Sequence, residues 1–149
     1  MYLISRCLLG ENCKYNGGNN RNEAVIRFAE RCSVFGVCPE CAAGLPAPRE
    51  PAEQRDGRVV DRSGRDLTEA FRRGAELSLE NAVRASEQAG EPIEGAVLKA
   101  NSPSCGAGKI YDGTFTGRLT DGDGCFVRLL REKKIPVRTE KEIEENGKF

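Results

Sequence analysis

Four short apolar runs punctuate the chain: "YLISR" at 2–6, "SVFGV" at 33–37, "GAVLKA" at 95–100 and "IPVRT" at 135–139. Their length and β-branched or aromatic content are those of buried strands, with Pro136 placing the last at a sheet edge. The segments between them carry helical spacing. Val25, Phe28, Ala29 and Cys32 share one face after a loop in which Asn20 is the candidate cap. A long helix starts at Ser63 or Asp66 and runs to about Ala89, striped by Leu67, Phe71, Ala75, Leu79, Ala82 and Val83 and stopped by Gly90. "GDGCFVRLLREKK" from 122 supplies a last helix. Alternating strands and helices predict an α/β fold in three layers: a mostly parallel four-stranded sheet with helices on both faces, Rossmann-like or flavodoxin-like, with right-handed connections. "KIYDGTFTGRLT" at 109–120 alternates β-formers around Asp112 and Gly113 and predicts a small inserted hairpin. The Pro- and Gly-rich stretch from Cys38 to Ser63 reads as a long loop with one short strand at Arg58 to Asp61.

A length of 149 residues suits one core, so residues 1–149 are expected to form a single domain. Lys plus Arg and Asp plus Glu are equal at 23 each. That balance gives no field to attract nucleic acid or an anionic membrane, and neither is expected as a partner. The apolar N-terminal run is interrupted by Arg6 and is too short to span a bilayer or serve as a signal peptide, so a cytoplasmic location is expected.

The chain has 7 Cys and no His. The lack of His removes Ser-His-Asp and Cys-His nucleophile systems, the 2-His-1-carboxylate iron site and the usual catalytic zinc sites. In a reducing compartment the thiols point to metal or thiol chemistry rather than a disulfide scaffold. Proton transfer then falls to carboxylates, Lys, Tyr or Cys.

Ligands in open α/β sheets bind outside the carboxyl ends of the strands. Cys7 follows the first predicted strand, Cys38 the second, and Cys105 lies in "NSPSCG" (101–106) after the third. The topology therefore brings three distant thiols to one sheet edge. Cys13 is a credible fourth, folded back through "CLLGENC", whereas Cys32 and Cys125 stand among apolar helical neighbours and read as core. "CPEC" at 38–41 has the spacing of a redox motif, but the prolines of "AAGLPAPREP" argue against a helix after it. "GAGK" at 106–109 is no phosphate loop, since Pro103 stands where the motif needs Gly and Ile110 where it needs Ser or Thr. Glu40, two residues after Cys38, is the best-placed proton carrier. Ser102 either donates to a ligand or caps its loop. Arg49 could pair with Glu53 or hold an anionic group, and a structural salt link is the favoured reading. Thiolates from separate loops suit an iron-sulfur cluster, and three of them would leave one iron open as a Lewis acid.

Four motifs carry a family resemblance: "CLLGENCKYNG" at 7–17, "CPECAAGLPAPREPAE" at 38–53, "KANSPSCG" at 99–106 and "YDGTFTG" at 111–117. In these the chain resembles the DUF523 family, which includes the bacterial thiouracil desulfidases. The resemblance implies a 4Fe-4S cluster held by only three cysteines, with the fourth iron free for the sulfur of a small thiolated base such as 2-thiouracil. It implies non-redox desulfuration, in which water replaces sulfur and hydrosulfide leaves. Carried over by motif position, Cys7, Cys38 and Cys105 are the cluster and metal ligands, Glu40 the proton carrier and Ser102 the substrate contact. Cys13 is an alternative ligand. The chain differs from the usual second motif at Cys41 and Ala43, which replace an aliphatic residue and a Gly, so Cys41 adds a thiol beside the site. Two other readings of the same thiols stand beside the enzyme: an iron-sulfur or zinc protein with every position filled, acting as carrier, sensor or structural partner, and a metal-free redox switch.

Overall fold

The apolar runs become the strands of a central sheet, and the computed structural model describes residues 1–149. In chain order the elements are β1 (Tyr2–Ser5), a 3-10 turn (Arg6–Leu9), α1 (Glu23–Ala29), β2 (Val34–Val37), α2 (Pro39–Ala42), β3 (Ala52–Arg55), β4 (Arg58–Asp61), α3 (Thr68–Ala89), β5 (Gly95–Leu98), β6 (Lys109–Tyr111), β7 (Leu119–Asp121), α4 (Cys125–Glu132), β8 (Val137–Thr139) and α5 (Glu140–Asn146). The four-stranded sheet runs in the order β2-β1-β5-β8, and every pairing in it is parallel. The α/β expectation holds.

Side chains alternate across the sheet and are buried on both faces. Leu3, Ala96 and Leu98 pack with Ala75 and Ala82 of α3 and Phe126, Val127 and Leu130 of α4. Ile4 and Val97 point the other way, onto Val25 and Phe28 of α1 and Ile143 of α5. Double-sided burial explains why these strands read as unbroken apolar runs. Phe126, Val127 and Leu130 are fully buried, which contributes roughly 5–9 kcal/mol to anchoring α4 before chain entropy is counted. No helix is long and apolar enough to cross a membrane.

Local details differ from the sequence reading. Asn22 rather than Asn20 caps α1, its Oδ1 accepting from the Val25 N–H at 3.1 Å, while the Asn20 N–H donates to the Cys7 carbonyl at 2.9 Å. The segment after Cys38 does open a helix, a single turn with Pro39 at its start, because Pro lacks only an N–H that a first turn leaves unpaired. The later prolines confine it to that turn. Two antiparallel hairpins are inserted rather than one: β3 pairs with β4 around Asp56 and Gly57, both at positive φ, and β6 pairs with β7. The β6–β7 connection spans residues 112–118 instead of turning tightly at Asp112-Gly113. Helix α5 was not expected; a capping box between Thr139 and Glu142 starts it.

Two glycines set the distances around the sheet edge. A Cβ at Gly74 of α3 would run into the Pro39 carbonyl, and one at Gly124 would run into the Ser104 backbone. Helix α3 thus lies directly against α2, and the start of α4 directly against the loop that carries Cys105.

Candidate active site

Strands β1 and β5 are adjacent, and the chain leaves them toward opposite edges of the sheet, which makes the gap beyond their carboxyl ends the topological switch point. Each wall of that gap is built locally. After β1 the 3-10 turn places Cys7, and Gly10 at φ 99° lets the chain reverse. The loop then folds on itself: the Lys14 N–H donates to the Gly18 carbonyl at 3.0 Å, and Asn19 donates to the Asn12 side chain at 2.9 Å. Cys13 is thereby returned to the neighbourhood of Cys7. After β2, Cys38 is the N-cap residue of α2, whose first turn carries Glu40. After β5, Ser102 Oγ accepts the Cys105 N–H at 2.8 Å. The first N–H groups of α4 clamp the same loop, with Cys125 donating to the Pro103 carbonyl and Phe126 to the Ser104 carbonyl, each at 2.9 Å.

These segments enclose a cavity of about 390 Å³. Cys7, Cys13, Cys38, Cys105, Glu40 and Ser102 all line it. Cys32 and Cys125 lie elsewhere, packed on α1 and beside Val59, Leu67 and Phe71 respectively, as their core reading anticipated. Cys41 does not line the cavity; it faces a second hollow of about 250 Å³ behind Cys38.

The thiols do not behave alike. Interaction with Cys38 and Cys7 drives the ionisation of the Cys13 thiol far upward and lowers that of its two neighbours. Cys38 is drawn down to about 6, first by Cys13 and then by the backbone N–H and thiol of Cys41. Cys7 is lowered by Cys13, further by Asn20 and the Lys99 ammonium, against the opposing effect of burial. Burial pushes the Cys41 thiol up to about 11 and Cys105 up to about 12, the latter opposed by the neighbouring Ser104 and Ser5 hydroxyls.

Arg49 does form a structural salt link, but with Glu40 as its partner. Arg49 does not pair with Glu53: its Nε donates to Glu40 Oε1 at 3.1 Å, and its Nη2 donates to the Cys13 carbonyl at 3.1 Å. Glu53 instead accepts backbone N–H groups of the 112–118 segment. The second Glu40 oxygen accepts from Ser104 Oγ at 3.0 Å, and Ser104 Oγ lies 3.4 Å from Ser102 Oγ. A hydrogen-bonded chain Arg49–Glu40–Ser104–Ser102 therefore runs along the cavity. Ser102 does cap its loop, and its hydroxyl also belongs to the lining. Behind it, Lys99 pairs with the buried Glu140 at 3.0 Å, whose other oxygen accepts the Ala100 N–H at 2.6 Å. Sequence reading did not single out Ser104, Lys99 or Glu140. The one sequence signal for Ser104 is its place beside Cys105, and Glu140 sits on α5, which the apolar spacing does not predict.

Four thiols line this cavity, and two of them, Cys7 and Cys38, are biased toward thiolate, the form that ligates metals. With no imidazole available, the donor set fits an iron-sulfur centre.

A parallel α/β sheet with four thiols and an ion-paired carboxylate lining the cavity at its switch point defines the class of protein: an α/β domain with a cysteine-bearing site beyond the carboxyl ends of its strands. The particular family follows from comparison with known proteins. The chain belongs to the 2-thiouracil desulfurase family, whose model matches residues 2–142. The protein YbbK of Bacillus subtilis (strain 168) is 36% identical over 153 residues, covering 96% of this chain and 97% of its own length. A solved structure titled as the 4Fe-4S-dependent thiouracil desulfidase TudS is 39% identical, superposes with a TM-score of 0.82, and covers 97% of this chain and 93% of that one.

Proposed function

We propose that this protein replaces the sulfur of a small thiolated pyrimidine, represented by 2-thiouracil, with oxygen from water, releasing hydrosulfide and the oxo base without net redox change. The observation that carries the proposal is the meeting of Cys7, Cys38 and Cys105, from three strand ends, with Glu40 at one cavity. These three thiols would hold a 4Fe-4S cluster. When bound through three thiolates, such a cluster supplies one iron without a protein ligand, a soft Lewis acid for the substrate's sulfur.

The chain's own groups supply the rest. Glu40 accepts the proton of the attacking water. Its Oε1 is held by Arg49 and its Oε2 by Ser104, which fixes the direction in which the carboxylate faces. Ser102, joined to Ser104, contacts the base and orders the Cys105 loop. Lys99 adds positive charge beside Cys7 and favours its thiolate.

Anaerobic loading with iron and sulfide tests the proposal. The expected result is a brown protein with about four irons per chain that converts 2-thiouracil to equal amounts of uracil and sulfide. Glu40→Gln should lower kcat roughly a hundredfold or more with iron content unchanged, while Cys105→Ala should lose iron. Full iron content in Cys105→Ala would remove that residue from the ligand set, and a loaded protein that releases no sulfide from any thiolated pyrimidine would refute the activity.

Cys13 favours a second reading. It lines the same cavity as Cys7 and Cys38 and interacts with both, and as a fourth ligand it would fill every corner and make the protein a carrier or sensor. Cys13→Ser separates the two readings: sulfide release survives it only in the enzyme.

A further inference from the structure

The segment 112–118 has no regular structure, yet it is firmly held. Glu53, 7% exposed, accepts the N–H of Gly113 at 3.0 Å and of Phe115 at 3.1 Å on a single oxygen. Arg55 donates from Nε to the Gly113 carbonyl at 3.1 Å. A Cβ at Gly113, which stands at φ +91°, would lie 2.7 Å from the Gln54 carbonyl, so a glycine is needed for the segment to approach β3 this closely. Phe115 itself adopts φ 59°, a left-handed conformation unfavourable for a bulky residue. Strain of this kind persists where surrounding bonds impose it and where it aims a side chain. The half-buried ring lines the cavity, and the Arg62 guanidinium lies over it, 5.7 Å from its centroid.

We propose that Phe115 is the stacking platform for the substrate's pyrimidine ring and that Glu53 is the positioning residue that presents it. The inference takes the identity of the ligand from the proposed desulfuration. Arg62 covers one face of the ring, and the base stacks on the other. Stacking on an aromatic face is tolerant of exocyclic substituents, so the platform holds substrate and product alike. Distinguishing sulfur from oxygen falls to the centre that the thiols would hold. Binding that is uniform between ground state and transition state appears in KM and not in kcat.

Steady-state kinetics on the iron-loaded protein, with a fluorescence titration, test this. Phe115→Ala and Phe115→Leu should raise KM for 2-thiouracil roughly tenfold at constant kcat per bound iron, whereas Phe115→Trp should keep it low. The chain contains no Trp, so the indole of Phe115→Trp is the sole emitter of its kind, and uracil should quench it saturably. Glu53→Leu should shift KM as Phe115→Ala does. Glu53→Gln, whose amide oxygen still accepts both N–H groups, should restore it; if Glu53→Leu fails to fold, the Phe115 series decides. Equal KM across that series, a Leu variant as good as the Trp variant, or no quenching by uracil overturns the platform. If wild-type protein turns over no thiolated pyrimidine, the desulfidase reading fails by itself, and saturable quenching by 2-thiouracil would still uphold the stacking role.

Discussion

Arg49→Met removes the guanidinium that joins two walls of the cavity, those of Glu40 and Cys13. Arg49 binds Glu40 Oε1, the Pro46 carbonyl and the Cys13 carbonyl, each at 3.1 Å, and so ties α2 to the loops on either side. The Arg49 and Glu40 side chains are 9% and 16% exposed, leaving little solvent to screen the pair. Deleting one partner of a buried ion pair costs about 3–5 kcal/mol, because the other charge is left uncompensated. Glu40 keeps some exposure and the Ser104 hydroxyl at 3.0 Å, which argues for the lower end, about 3 kcal/mol. For a chain of this length each kcal/mol moves Tm by roughly 2–4 °C, so the melt should fall by about 6–12 °C. A double-mutant cycle with Glu40→Gln separates charge from packing. The neutral double variant no longer strands a carboxylate, so it should regain part of the loss, with a coupling energy above about 1 kcal/mol. Arg49→Lys keeps the charge without the three-way fork and should fall between wild type and Arg49→Met. A Tm loss below about 2 °C for Arg49→Met, or a cycle additive to within about 0.5 kcal/mol, would refute the reasoning.

Two further outcomes follow from the same geometry. Thiolates are the alkylating nucleophiles; with Cys38 drawn down to about 6 and Cys105 pushed up to about 12, iodoacetamide should label Cys38 of the metal-free protein at about pH 7. Labelling should fade as pH drops through about 6, with Cys105 still unlabelled at about pH 8. Peptide mass mapping reads the order, and equal labelling of the two at about pH 7 would contradict it. Gly74→Ala drives a methyl into the Pro39 carbonyl and should cost about 1–3 kcal/mol in urea unfolding by overpacking. Because α2 carries Cys38 and Glu40, iron uptake should fall with stability; an unchanged urea midpoint would show that α3 and α2 can move apart.

The central strands were legible because both faces of the sheet are covered, so Leu3 and Ile4, or Ala96, Val97 and Leu98, are all apolar in sequence. Strand β3 was not, for the opposite reason. Its one buried residue is Glu53, and a carboxylate inside a short polar run looks solvated until its partners, the N–H groups of Gly113 and Phe115, are known. Helix α5 buries Glu140 and Ile143 alone, too few positions to show a helical stripe, although the T-x-x-E of Thr139 to Glu142 was an available start signal. The segment after Cys38 was misjudged because proline inside a helix and proline at its first position have opposite effects.

At the site, legibility divided along the same line between local and distant causes. The placement of Cys7, Cys38 and Cys105 required only that each follow a strand of one parallel sheet, which a topology rule supplies without coordinates. The groups that orient Glu40 obey no such rule. Arg49 stands near Glu50 and Glu53 in sequence, and helical or hairpin spacing would pair it there, yet the turn of α2 carries Glu40 back to it. Ser104 reaches the same carboxylate across 64 residues of sequence. Strand ends therefore define where the thiols gather, whereas irregular loops closed by buried charge define how the carboxylate faces them. If Glu40 is the proposed proton acceptor, Arg49→Lys should accordingly lower kcat for sulfide release while iron content per chain stays unchanged, and a loss of iron at unchanged kcat per iron would contradict this.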